Sequence, residues 1–144
     1  MGLFKIYEWM SGTKADFLKT IREDLRPQAE KFWSSLEATA PYLIIIFLIL
    51  GIGCAVLYYT WYNNQPGRHY KPSHWLGWLG VCIVSVLVVS IGVEFLLLDT
   101  DLSNTGIVIS KVSLCNALYA SVVYFVTSFI CCNSVTTNAY KLFK

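Results

Sequence analysis

Three stretches of this chain carry almost no charge: residues 42–62, 75–98 and 112–132. Each matches the run of about 20 predominantly apolar residues that a helix needs to cross a bilayer. Polar segments at 63–74 and 99–111 separate them. The first holds Pro66, Gly67, Arg68, His69, Lys71 and Pro72, and the second Asp99, Asp101 and the turn signal Asn104-Thr105-Gly106. The pattern predicts an all-α membrane protein, with three transmembrane helices preceded by a short amphipathic, membrane-proximal helical region. The amphipathic part is residues 1–40 and the three-span region 41–144.

Residues 1–10 place Leu3, Phe4, Tyr7 and Met10 on one face at helical spacing. Tyr7 and Trp9 are residue types that favour a bilayer interface. The segment is therefore expected to lie flat in the headgroup region, with packing against the next helix as the alternative. Ser11-Gly12 ends it. Thr13, with Asp16 three residues on, has the spacing of a capping box and starts a second helix. Its apolar stripe, Phe17, Leu18, Ile21 and Leu25, is too narrow to build a core alone and asks for a partner surface. Phe17, Leu18 and Ile21 are the candidate docking residues. Pro27 suits the first turn of a further helix with Phe32, Trp33 and Leu36 on its apolar face. Thr39 and Pro41 repeat that device, or else Pro41 sits within one long helix that runs on to residue 62.

In the first span Gly51 and Ala55 lie four residues apart and share a face that permits close backbone approach. Tyr58, Tyr59, Trp61 and Tyr62 read as an aromatic belt, with a binding cluster as the alternative; Trp75 and Trp78 anchor the next span at the same surface. Ser73 is the candidate cap of that span. The third span divides most clearly. Ser113, Asn116, Ala117, Ala120, Tyr124, Thr127, Ser128 and Cys131 fall on one side, and Leu114, Leu118, Val122, Val123, Phe125, Val126, Phe129 and Ile130 on the other. Small and polar residues mark protein contact, bulky apolar ones lipid contact. Ala117, Ala120 and Ser121 are the candidate close-packing positions here.

Glu94 is the one acidic residue within a span, a turn inside its end, with Ser90 four residues earlier on the same face. Counting from the span ends brings Asn116 level with Glu94 in an antiparallel pair. Glu94, Ser90 and Asn116 therefore form the candidate intramembrane polar site, with a hydrogen bond to Glu94 expected from Asn116 or Ser90, or a salt bridge from a basic residue of another subunit; the alternatives are that Glu94 is merely interfacial or is protonated by burial. Lys111 falls on the apolar side and is expected to snorkel to the surface.

Composition narrows the class. The chain is 56% hydrophobic and 14% charged, against about 25% charged in a soluble domain. A net charge of +2 with no basic cluster excludes nucleic acid as a partner. The five cysteines, Cys54, Cys82, Cys115, Cys131 and Cys132, all fall in spans. An odd number there is not a disulfide framework, and His69 and His74 are remote from them, so no zinc site is expected. They read as small apolar residues, with lipidation of Cys131 and Cys132 as the alternative. The first ten residues lack the apolar core of a signal peptide. The Met-Gly start has Ile6 where a myristoylation site needs Ser or Thr.

A cytoplasmic N-terminus is expected, because a charged, helical segment of about 40 residues without a signal peptide is not readily translocated; the Lys and Arg count is seven against four in its favour overall but nearly even close to the spans. Lys5, Lys14, Lys19, Arg22, Arg26, Lys31 and Lys111 then lie inside, and Arg68, Lys71, Lys141 and Lys144 outside. Asp99 and Asp101 pull the other way. Small size and the lack of targeting signals suggest a bacterial inner membrane.

No H-E-x-x-H or Ser-His-Asp pattern occurs, so neither an enzyme nor a catalytic, cofactor or metal site is expected. There is no sign of the paired repeats of transporters. The pattern points to a structural or coupling subunit of a larger membrane-embedded assembly, whose partners are the lipid bilayer and other membrane subunits or a second copy. The alternatives are a homo-oligomeric pore or an ion- or proton-conducting protein using Glu94 and the polar stripe of span three, and a small membrane immunity or regulatory protein.

Overall fold

An apolar run with no water to satisfy its backbone must hydrogen-bond to itself, and a helix does this within one segment. The computed structural model of the protein describes residues 2–62, 65–66, 71–98, 102, 104–135 and 140–142. All its regular structure among these residues is helical. A 3-10 turn at Leu3–Ile6 leads into α1 (Glu8–Ser11) and α2 (Lys14–Lys19). A second such turn, Glu23–Leu25, leads into α3 (Arg26–Thr60), followed by α4 (Pro72–Leu97) and α5 (Thr105–Ser134). The last three are long and apolar enough to cross a bilayer. Gly67, Arg68, His69, Asp99 and Asp101, singled out above, lie outside the described residues, as does Lys144.

Local chemistry explains the breaks. Gly12 ends α1 at φ 86°, in the left-handed region that glycine tolerates. Thr13 caps α2 through a complete capping box: its hydroxyl accepts from the Asp16 N–H, and the Asp16 carboxylate accepts from the Thr13 N–H. The Thr13 hydroxyl also donates to Asp16 at 2.7 Å. These bonds, the hydroxyl's first, hold the Asp16 carboxyl below its ordinary range.

Several sequence expectations change at the helix ends. α3 runs unbroken through Pro41, so Thr39 is no cap; its hydroxyl instead donates to the Ser35 carbonyl at 2.8 Å. At 1.5 Å per residue this 35-residue helix is about 52 Å long, well beyond the roughly 30 Å of a hydrocarbon core. Its first fifteen residues, 26–40, carry the charges. α4 starts at Pro72, which needs no N–H there, so Ser73 lies inside the first turn. α5 starts at Thr105, seven residues before the expected start of its span. The chain turns at Asn104 (φ 74°), and Thr105 donates its hydroxyl to the Leu102 carbonyl.

The chain divides into two compact units that share the three long helices: Met1–Ile45 with Leu87–Asn116, and Ile46–Val86 with Ala117–Lys144. In the first, the N-terminal segment packs inward. Phe4 meets Trp33 edge-on at 5.4 Å and Tyr7 at 5.6 Å; Phe17 packs on Phe32 and Trp33. Phe4, Tyr7, Phe17, Ile21, Phe32, Trp33 and Leu36 are buried. The narrow stripe on α2 thus finds its partner surface in α3, and the first ten residues pack against α3 through Phe4.

In the second unit α3 and α5 approach closely at Gly51. A Cβ there would stand 2.9 Å from Val123 Cγ1 and 3.0 Å from the Ala120 carbonyl oxygen, so only glycine fits this contact. Ala55, Ala117 and Ala120 are buried; Ser121 is half-buried and donates to the Ala117 carbonyl. The expected aromatic belt is largely internal. Tyr58, Tyr59 and Trp75 are buried, leaving Trp61 as the exposed member. Tyr58 donates to the Tyr140 carbonyl, Trp75 to Ser128, and Tyr124 to the Trp75 carbonyl. Tyr59 lies 3.1 Å from Cys132 Sγ. The five cysteines are buried and form no disulfide.

Candidate functional site

α5 buries its small and polar side and exposes Leu114, Leu118, Val122, Phe125, Val126, Phe129 and Ile130. Within the first unit this side brings Ser113 and Asn116 against α4, where Ser90 and Glu94 sit four residues apart on one face. Ser113 donates to Glu94 Oε2. Asn116 Nδ2 donates to Ser90 Oγ at 2.7 Å, and Asn116 Oδ1 accepts from the Tyr7 hydroxyl at 2.9 Å. Tyr7, Ser90, Glu94, Ser113 and Asn116 all have zero exposure. Within the first unit the chain's own helices therefore enclose these groups.

The register corrects one expectation. Asn116 pairs with Ser90 and Ser113 with Glu94, about one turn from the predicted level of Asn116 with Glu94. Counting from the span ends misplaced the pair because α5 extends to Thr105. Sequence reasoning therefore missed Ser113 as the partner of Glu94, although it lies three residues before Asn116 on the same stripe. It also missed Tyr7. A tyrosine among apolar residues reads as interfacial, and nothing local announces that its hydroxyl reaches 109 residues along the chain.

The cluster holds one unmet demand. Glu94 Oε1 is buried and has no hydrogen-bond partner among the described residues. The ion pairs among those residues, Lys19–Asp16 and Arg26–Glu23, bring no cation to Glu94. Burial of an unpartnered polar atom is costly, so such an atom calls for an explanation. Glu94 is also the one carboxyl group of the cluster. Among the described residues no three His, Cys, Asp or Glu side chains gather to hold a metal.

The other candidate residues are placed differently. Phe17 and Ile21 face inward and Leu18 is half-buried. The exposed apolar positions of the N-terminal segment are Leu3, Ile6 and Trp9. Gly51, Ala55, Ala117, Ala120 and Ser121 belong to the second unit and bring no reactive group to the cluster. Compared with protein-family models, curated proteins and solved structures, the chain matches none of them.

Proposed function

We propose that this chain is a non-enzymatic coupling subunit of a larger membrane-embedded assembly, with its three long helices in the bilayer and its N-terminal segment at the cytoplasmic surface of a bacterial inner membrane. The bilayer placement draws on the length and apolarity of α3, α4 and α5. The orientation draws on the excess of Lys and Arg in the N-terminal segment and on Lys111.

The observation that carries the coupling role is the buried hydrogen-bond chain from Tyr7 through Asn116 to Ser90. It ties the surface segment to two long helices beside Glu94. Withdrawing Tyr7 leaves the Asn116 acceptor buried and unsatisfied, so the position of the segment and the order of the polar cluster are energetically linked. A partner subunit that engages Leu3, Ile6 and Trp9 acts on this link from outside.

The test is purification of the full chain from its own membrane in mild detergent. Companion subunits at fixed stoichiometry are expected, and they are lost when Leu3, Ile6 and Trp9 are changed to Ser. A chain that runs alone, or an unchanged set of companions in the triple variant, overturns the subunit reading.

The unpartnered Glu94 oxygen favours a second reading, in which Glu94 handles a proton or a small cation. Two substitutions separate the readings. Glu94→Gln keeps an acceptor for Ser113 and removes the charge. In a coupling subunit Gln is tolerated and Glu94→Leu weakens assembly; in an ion or proton path Gln alone abolishes flux in liposomes while assembly survives. Glu94→Leu without effect on either measurement removes both readings.

A further inference from the structure

In the first unit a cleft of about 470 Å³, lined by none of the residues of the Glu94 cluster, opens between the N-terminal helices and the first turns of α5. This is within the range of about 300–1,000 Å³ typical of small-molecule sites. Met10, Phe17, Ile107 and Val108 supply apolar wall, and two charged residues line it: Lys111 on α5 and Asp16 on α2.

Lys111 is the only charged residue of α5. It sits on the side of the helix that carries Ile107 and Leu114, four residues before it and three after, which are 57% and 49% exposed. In the bilayer placement proposed above, on which this inference rests, that side meets lipid. A lysine there directs its ammonium to the headgroup level. Among the described residues Lys111 has no ion-pair partner. A second, shallower cleft runs along Ser110 and Leu114 and shares Ile107 and Lys111 with the first, so apolar grooves flank the lysine. Trp9 borders the main cleft and is 63% exposed, as an interfacial tryptophan is.

The occupant must combine an apolar chain with an anionic group for Lys111. Asp16 narrows the choice. Its carboxylate is kept ionised by the Thr13 hydroxyl and N–H, and Lys19 lies 3.5 Å from it on the exposed side. A headgroup of net negative charge brings its excess charge up to Asp16, whereas a headgroup ending in a primary ammonium meets both charges with the right sign and donates N–H to the carboxylate, which a quaternary ammonium cannot.

We propose that this cleft binds a phospholipid with a primary-amine headgroup, its phosphate on Lys111, its ammonium on Asp16, and acyl carbons against Met10, Phe17 and Val108.

The test uses the full chain reconstituted with equal amounts of phosphatidylethanolamine, phosphatidylcholine and phosphatidylglycerol. Lipid retained through detergent exchange is counted by native mass spectrometry. One phosphatidylethanolamine is expected to be retained in preference to the other two. Lys111→Gln lowers retention about five-fold, the share of one lysine at a charged lipid surface. Asp16→Asn, which keeps an acceptor for the Thr13 N–H, moves the preference toward phosphatidylglycerol. Lys31→Gln, which removes a cation elsewhere in the same unit, leaves retention unchanged. Far-UV circular dichroism confirms that each variant keeps its helix content. Retention of no lipid, equal retention of all three, or insensitivity to Lys111→Gln overturns the proposal. So does displacement by millimolar inorganic phosphate, because a free anion would then satisfy the site without an acyl chain.

Discussion

Replacing Tyr7 by Phe removes one oxygen and leaves the ring, so it isolates the bond that joins the N-terminal segment to the long helices. The Tyr7 hydroxyl donates to Asn116 Oδ1 at 2.9 Å, and both side chains are fully buried. In Tyr7→Phe the Asn116 amide keeps its bond to Ser90 and loses its donor. A buried acceptor left unsatisfied costs about 1–3 kcal/mol in soluble proteins. Side-chain bonds measured within a bilayer protein average about 0.6 kcal/mol and reach about 1.7. Both the donor and its acceptor are neutral, and the Phe ring fills the same space, so the expected loss is about 1 kcal/mol. Asn116→Ala removes both Asn116 bonds and leaves a small void, so it costs more. In the double variant the Tyr7–Asn116 bond can be lost only once, which leaves a coupling energy of about 0.5–1.5 kcal/mol. The assay is equilibrium unfolding of the four proteins in mixed micelles of rising dodecyl sulfate fraction, followed by circular dichroism. Additivity within about 0.3 kcal/mol would refute the reasoning, because two residues that do not touch behave in that way.

The same unfolding assay tests the packing of the second unit. Gly51→Ala sets a Cβ 2.9 Å from Val123 and 3.0 Å from a backbone oxygen and should cost about 1–3 kcal/mol by overpacking. Gly53→Ala, with nothing within 4 Å, should be neutral or slightly stabilising. Ala120→Leu on the buried side of α5 should destabilise by a similar amount, whereas Val122→Leu at a position 61% exposed should not. Equal tolerance of both changes would reverse the assignment of faces. Because the five cysteines are buried and form no disulfide, reducing agent should leave the unfolding midpoint unchanged, and maleimide labelling should be slow until the protein unfolds.

The three long helices were legible in the sequence because the bilayer imposes a length and a composition that residues 42–62, 75–98 and 112–132 meet by themselves. The two sides of α5 were legible for a related reason: small and bulky residues alternate at helical spacing, and that spacing is local. The same holds for the break at Gly12 and the capping box at Thr13, which act within three residues.

Tertiary structure decided the rest, wherever one local signal serves two environments. Tyr58 and Tyr59 have the composition of an interfacial belt, yet their hydroxyls meet Tyr140 and Cys132 far along the chain. Thr39 and Pro41 can start a helix or lie within one, and the continuous packing of α3 selects the second. The stripe on α2 fits a foreign surface as well as Phe32 and Trp33, and a narrow apolar face does not specify which. The polar cluster depended on it most. The sequence alone marked Glu94, Ser90 and Asn116 as costly in an apolar setting. Which of them meet is set by the axial register of two helices, and a shift of one turn exchanges every partner. That register follows from side chains packed along the whole helix, so Ser113 and Tyr7 entered the cluster only when the chain had folded.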